Sequence, residues 1–338
     1  MKYKRLHLIE KLRVQVAAAA ALLAVYFWAY HLVAGADPKA PTVFFGAGAG
    51  HLLQFIAVIM TTAVLAGAAS VGMRPSAGLL VTLVGAAGLS LHMPSVLPLL
   101  WNNESALGFL LVQMILDTLL LAVVVFGAAL LTGWVRNKIT ALSPSWAWQD
   151  PLASLTEEQR RKVKARKVYY MGDPISALVA TAAHGVFSKY AEQGSREIGT
   201  SKDLRKQLVL GGYCLALAIL TGFVLLLLLM RSYDRSQTMF AVAGSLFAAT
   251  LLAYQVFPFR SAAVAMVTPV VLAVVMYALG AMKTVSGMHL SWETVAPYAC
   301  AVPLDWVTAG AAGAVAGYWV SSRIHEARYG ELDESDEE

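Results

Sequence analysis

Ionic side chains are scarce in this 338-residue sequence, where Asp, Glu, Lys and Arg together make up 14% of the chain. A soluble domain carries roughly a quarter charged residues. Hydrophobic residues reach 58%, and the mean hydropathy is +0.62. This balance excludes an ordinary soluble domain and predicts an integral membrane protein in contact with the lipid bilayer.

Cysteine is also scarce, with Cys214 and Cys300 as the only two thiols. We expect them near opposite ends of different membrane spans, so they cannot pair, and neither a redox compartment nor a cysteine metal site follows. The sequence lacks a phosphate-binding P-loop, a dinucleotide fingerprint, a Gly-x-Ser-x-Gly elbow and a zinc-protease motif. These absences argue against a standard soluble enzyme, and they leave the cofactor unknown.

Long apolar runs are what the sequence does contain. Several approach the roughly 20 residues that an α-helix needs to cross the bilayer core. The predicted fold class is therefore all-α, a polytopic helical membrane protein with about eight transmembrane helices. The predicted spans are Val14–Ala34, His51–Val71, Ala77–Leu91, Leu107–Trp134, Leu208–Met230, Met239–Val256, Ala262–Met282 and Cys300–Ser321.

Basic residues are distributed unevenly between the two sides of these spans. Only Lys39, Arg231, Arg235 and Lys283 fall on one side, while the rest of the 26 Lys and Arg fall on the other. The positive-inside rule then places both termini in the cytoplasm. The leader resembles a secretory signal ending at Ala34, but its apolar run exceeds the 7–15 residues of such signals. We expect a multi-pass protein of the bacterial cytoplasmic (inner) membrane.

The chain divides into four segments by composition. Residues 1–134 and 207–322 form two membrane halves of about four helices each, expected in the same orientation. Residues 135–206 form a cytoplasmic segment, and residues 323–338 form an acidic tail. Leu116-Asp117 in span four and Leu304-Asp305 in span eight suggest a duplication, although such matches also arise by chance in chains rich in Ala, Leu and Val.

The cytoplasmic segment carries a basic run that suits anionic lipid headgroups at the cytoplasmic face. A solvated positive-inside run is the alternative, and the absence of interleaved aromatic residues argues against nucleic acid. The residues predicted to contact headgroups are Arg160, Arg161, Lys162, Lys164, Arg166 and Lys167.

The acidic tail, Glu331–Glu338, is dense in carboxylates and has no aromatic residue, so its composition predicts disorder. Such a tail either docks a protein partner or merely keeps the chain soluble.

Acids inside the spans are the first candidates for function, because a charge near the bilayer centre costs roughly 2.5–3.5 kcal/mol or more. Asp117 lies in span four, with Gln113 one helical turn earlier on the same face. Asp305 is the candidate counterpart in span eight, and Pro303 leaves two positions open for it, buried in the span or at its outer mouth. We predict a substrate or proton site at these residues, and the alternative is a hydrogen-bonded acid that ties helices together.

Histidines are the second candidates, since four of the seven fall on the outer side of the spans. Imidazoles from neighbouring helix ends can bind zinc, copper or haem iron. None shows the spacing of a helical metal motif, and interfacial histidines commonly bond water or headgroups. The candidate metal ligands are His31, His51, His92 and His289.

Three functions are compatible with these patterns. The first is a permease with a polar intramembrane site around Asp117. The second is a non-catalytic accessory or scaffold subunit that recruits partners through its cytoplasmic segment and acidic tail. The third is a redox protein with a metal or haem on the outer histidines. Composition alone ranks transport slightly first, because a buried acid is costly to keep without a use.

Overall fold

A computed structural model describes residues 2–33, 44, 49–73, 75–143, 201–257, 261–285 and 295–334. Of residues 2–9, 49, 75, 201–208, 283–285 and 325–334 only the backbone is described. All regular secondary structure in these parts of the chain is helical. Apolar side chains in lipid require this, because a backbone surrounded by hydrocarbon must satisfy its own hydrogen bonds.

The first part of the chain forms helices that match the predicted spans one to four. They are α1 (Lys2–Ala24), a π-helical turn π1 (Val25–Ala29), α2 (Tyr30–Val33), α3 (Ala49–Ala69), α4 (Pro75–His92), the short α5 (Leu97–Asn102) and α6 (Leu107–Leu142).

The second part of the chain forms helices that match spans five to eight. They are α7 (Ser201–Leu229), α8 (Arg235–Val256), α9 (Ala262–Val285), α10 (Pro303–Asp305), a second π-helical turn π2 (Trp306–Gly310) and α11 (Ala311–Glu334).

Among the residues described, six helices are long and apolar enough to cross a membrane. They indicate a multi-pass membrane protein. The two predicted spans outside this set are the third and the eighth. Helix α4 is short, with 18 residues, and the eighth apolar run is divided by π2 and continues into the charged end of the chain.

The helix termini gather at two ends of the bundle, and we name each end after one residue that lies there. At the His92 end, His92 Nδ1 lies 3.2 Å from the Tyr26 carbonyl, and the Tyr233 hydroxyl donates to the Val295 carbonyl at 2.8 Å. At the Arg136 end, Arg136 donates to the Met73 carbonyl at 2.8 Å. Positive φ at Gly72, 75°, lets the chain turn there between α3 and α4.

The first and last long helices meet at the Arg136 end. Arg323 of α11 forms an ion pair with Glu10 of α1 at 2.6 Å, and its guanidinium lies 4.8 Å from the centre of the Trp319 ring. Arg13 of α1 donates to the Val71 carbonyl at 3.4 Å. The beginning of α1 and the later part of α11 therefore lie at the same end of the bundle.

Glycine permits the closest helix contacts. A Cβ on Gly313 or Gly317 of α11 would overlap the backbone of Ala243 or Phe247 in α8. A Cβ on Gly88 of α4 would lie 2.7 Å from the Leu22 carbonyl of α1. These small-residue faces therefore serve packing within the chain.

Two helices run past the segment boundaries that composition indicated. Helix α6 continues to Leu142, beyond the boundary at 134, and α11 continues to Glu334, within the stretch whose composition predicted disorder. A helix that has already been nucleated adds residues at little further cost, so polar sequence can follow an apolar span. The basic run from Arg160 to Lys167 and residues 335–338 lie outside the described residues.

Candidate functional site

Asp305 is the centre of a buried ionic cluster at the His92 end. Its side chain is fully buried, whereas the Arg235 side chain is 17% exposed. The Arg235 guanidinium binds both carboxylate oxygens, with Nη1 to Oδ2 at 2.5 Å and Nη2 to Oδ1 at 2.6 Å. Such a fork-to-fork pair is among the stronger charge-assisted contacts in proteins.

The same guanidinium also holds the C-terminal turn of α4. Arg235 Nη2 donates to the Ser90 carbonyl at 2.5 Å, and Nε donates to the Met93 carbonyl at 3.2 Å. The Ser90 hydroxyl donates to Asp305 Oδ1. One arginine of α8 therefore joins the end of α4 to the beginning of the α10–π2–α11 run.

Neighbouring groups in this cluster carry charges of opposite sign. The C-terminal carbonyls of α4 carry partial negative charge and face the Arg235 cation. Asp305 comes next, and its Oδ2 accepts the Val302 backbone N–H at 3.0 Å, at the N-terminal side of α10. Each charge meets a partner of opposite sign, which offsets the cost of removing both ions from water.

An aromatic pair lies behind Asp305. The Tyr277 hydroxyl of α9 donates to the Ala301 carbonyl and accepts the Trp306 indole N–H at 3.1 Å. Both side chains are fully buried. Trp306 immediately follows Asp305 in the chain, so Tyr277 is a buried hydroxyl next to the clustered end of that helix.

Asp117 is fully buried in α6, about 15 Å along the helix from its start at Leu107. Its Oδ2 accepts the backbone N–H of Phe44 at 2.8 Å. Gln113, one turn earlier, is half-buried. The bond to Phe44 is the kind of contact that the structural alternative for this acid requires.

Two of the four predicted histidine ligands come together. The rings of His31 and His92 are 5.9 Å apart, and His92 stacks on Tyr30 at 3.9 Å. Nδ1 of His51 is buried, and none of the residues that the structure describes offers it a hydrogen bond. His289 lies outside the described residues.

A metal centre is not assembled from these histidines in the described part of the chain. No group of three or more His, Cys, Asp or Glu residues close enough to hold a metal ion occurs there. Protein zinc sites use three or four such ligands, so the metal or haem site stays a prediction.

Asp234 immediately precedes the arginine of the cluster and caps α8. Its carboxylate accepts the backbone N–H of Ser236 at 2.8 Å and of Gln237 at 3.1 Å. These backbone hydrogen bonds, Gln237 first, lower the pKa of Asp234 from its ordinary 3.8, because they favour the charged form. The cap fixes where α8 begins and so where Arg235 points.

Arg235, Ser90 and Tyr277 are the site residues that sequence reasoning missed. The signal for Arg235 was present, since a buried acid needs a cation and only four Lys and Arg were assigned to that side. Ser90 and Tyr277 carried no such signal, because Ser90 is 215 residues from Asp305 in sequence.

Comparisons with protein-family models, with curated proteins and with solved structures found no match.

Proposed function

We propose that this chain is a permease of eight membrane crossings whose buried acid Asp117 takes up and releases a proton during transport. The observation that carries the proposal is the full burial of two carboxylates, Asp117 and Asp305, in apolar helices. Acids inside a membrane protein typically belong to ion or substrate pathways.

Eight crossings are supported by the contacts at the ends of the two remaining helices. Helix α4 begins beside Met73, which Arg136 binds, and ends beside Ser90, which Arg235 binds. Its 18 residues span about 27 Å, close to the thickness of the hydrocarbon core. The α10–π2–α11 run likewise extends from Asp305 to Arg323, which pairs with Glu10.

Two related halves are supported by the packing order. Helix α3 packs on α6 in the first half, and α8 packs on α11 in the second. Between the halves, α6 packs on α9, and α4 packs on π2 and α11. An axis along the membrane normal that exchanges the halves would relate these contacts in pairs, with Asp117 opposite Asp305.

The proposed orientation places the Arg136 end in the cytoplasm. Glu10 and Arg323 bring the early and late parts of the chain to that end. The basic leader and the basic segment between α6 and α7 are then on the cytoplasmic side, as the positive-inside rule requires.

Asp117→Asn separates a proton-carrying role from a structural one. An asparagine can still accept the Phe44 N–H, but it cannot carry a charge or exchange a carboxyl proton. In proteoliposomes with an enclosed pH-sensitive dye and a potassium diffusion potential, we expect proton entry with the wild type and none above background with Asp117→Asn. Each preparation is measured with and without an external mixture of amino acids, sugars and organic acids.

Glu104→Gln is the matched control, because Glu104 is an exposed carboxylate near the start of the same helix. It should retain wild-type flux. Flux through Asp117→Asn at the wild-type rate would contradict the proposal. A wild type that carries nothing would favour the accessory subunit instead, in which the bond from Asp117 to Phe44 serves only to hold the fold.

A further inference from the structure

The ionic cluster at the His92 end joins elements of both membrane halves. We use the term clasp for Arg235, Asp305, Ser90 and the Met93 carbonyl. Ser90 and Met93 belong to the end of α4, while Arg235 begins α8 and Asp305 ends α10. Five of its hydrogen bonds come from one guanidinium, to Asp305, Ser90 and Met93.

The clasp lies at a boundary between exposed and buried groups. Arg235 retains 17% of its side-chain exposure, whereas Asp305 has none. The residues on either side of Asp305 in the chain are buried, since Cys300 is 1% exposed and Trp306 is fully buried. Tyr277 is also fully buried, and its hydroxyl accepts the indole N–H of Trp306.

An ionic clasp is a contact that can be opened as a unit. Apolar side chains gain no favourable hydration when they separate. Separated ions regain their hydration, and this offsets much of the lost attraction. Losing either ion also leaves the other without its partner, so all of the bonds are linked.

We propose that the clasp is the gate of the His92 end, and that separation of Arg235 from Asp305 admits water to Cys300 and Tyr277. The use of this opening as a gate rests on the proposed permease, because a transport path must open at each end in turn. Opening itself is measurable without any flux. The gate closes by binding the end of α4 to the beginning of the α10–π2–α11 run.

Cys300 is a native reporter of this opening, because the chain has only two cysteines. In a Cys214→Ser background, the rate of Cys300 labelling by a charged, membrane-impermeant thiosulfonate is measured on the full-length protein in membranes. We expect slow labelling in the parent and an increase of about tenfold or more in Asp305→Asn and Arg235→Gln, since losing one partner destabilises a buried ion pair strongly.

Matched controls come from the same end of the bundle. Arg231→Gln removes an exposed arginine, and Asp234→Asn removes an exposed acid while keeping a residue that can cap α8. Both controls should label at the parent rate. Asp305→Asn and Arg235→Gln at the parent rate would overturn the gate.

Cys214 distinguishes a gate from general loss of the fold. It is fully buried in α7 and is labelled alone in a Cys300→Ser background. Clasp substitutions should leave Cys214 protected, and equal exposure of both cysteines would show that the clasp holds the whole bundle, which contradicts the proposal.

The gate and the permease fail separately in these experiments. Asp117→Asn should abolish proton flux but leave Cys300 labelling at the parent rate. If Asp305→Asn and Arg235→Gln label Cys300 at the parent rate while Asp117→Asn abolishes flux, the gate is wrong and the permease stands. If they label Cys300 faster but the wild type carries no flux, the permease is wrong and the gate stands.

Discussion

At the scale of single residues, full burial and a two-pronged pair with Arg235 distinguish Asp305 from exposed acids such as Glu104 and Asp234. Losing one partner of a buried ion pair costs on the order of 3–5 kcal/mol, because the remaining charge keeps its desolvation cost. The hydrogen bonds from Arg235, Ser90 and the Val302 N–H to Asp305 offset this desolvation cost. The pair therefore stabilises one arrangement of α4, α8 and α10 rather than adding much net stability.

Asp234 gives a pH dependence whose sign follows from its hydrogen bonds. Its pKa is lowered in the folded protein, so its stabilising contribution is present above the ordinary value of 3.8 and is lost as the pH falls through the folded value. We expect Asp234→Ala to lower the melting temperature in detergent at neutral pH, and this difference should shrink below pH 3.8.

Asp234→Asn is the companion variant, because asparagine caps helices without a charge. It should keep most of the neutral-pH stability and lose the acid dependence. A difference between Asp234→Ala and wild type that stays constant through the acid range would contradict this account.

At the scale of helices, sequence predicted location better than length or shape. Apolar runs identified the positions of α1, α3, α6, α7, α8 and α9, because membrane thickness demands long apolar stretches. The two π-helical turns were not predicted. A π-turn widens the helix by a rearrangement of backbone hydrogen bonds, and no residue type in Val25–Ala29 or Trp306–Gly310 marks it.

Both π-turns pack against α4. That helix carries Gly85 and Gly88, and Gly88 lies against π1 at the Tyr26 backbone. Sequence alone does not show which helix packs against these glycines, because that choice depends on tertiary packing. Helix α4 is thus held between π1 and π2, with the clasp at its end.

Replacement of glycine by alanine should have opposite effects at Gly212 and at Gly317, because only Gly317 lies in the α8–α11 contact. Gly212→Ala in α7 meets no atom within 4 Å, so alanine should stabilise the helix by up to about 1 kcal/mol. Gly317→Ala would overlap the Thr250 hydroxyl and the Phe247 carbonyl, and we expect a loss of about 1–3 kcal/mol. Unfolding in mixed detergent micelles, followed by tryptophan fluorescence, measures both.

These two variants test whether the close approach of α8 and α11 is real. Equal effects of the same sign would show that the helices are further apart than described. The bond from Thr250 to the Ala314 carbonyl, 2.9 Å long, should break only in Gly317→Ala.

At the scale of the whole molecule, the buried acids could be chosen from sequence, but their surroundings could not. Asp117 and Asp305 stood out because charge inside a span is rare. Their contacts join positions far apart in the chain, such as Phe44 with Asp117, separated by 73 residues, and Arg235 with Asp305, separated by 70. No periodicity or local motif records contacts of that kind.

The proposed topology predicts the side on which each loop appears. Reporter fusions after Gly72, Ser143 and Glu338 should fluoresce as cytoplasmic green fluorescent protein. Fusions of alkaline phosphatase after Ser95 and Ser232 should be active outside, because periplasmic disulfides are needed for its activity. Gly72 and Ser95 flank α4, so this pair tests whether the short helix crosses the membrane.

A cytoplasmic signal after both Gly72 and Ser95 would remove α4 from the set of crossings and invert the sides predicted for later loops. Matching signals after Ser143 and Ser232 would contradict the crossing of α7. The C-terminal fusion on the outer side would separate the chain's two ends and is incompatible with the contact between Glu10 and Arg323.

The ion pair between Glu10 and Arg323 sets an order on biosynthesis. Its partners are 313 residues apart, so at about 5–20 residues per second the ribosome needs roughly 15–60 s between them. During that interval the first helix is already synthesised, but the arginine that joins it to the last helix is not. A ribosome that stops early therefore leaves the first helix without this contact to the last one.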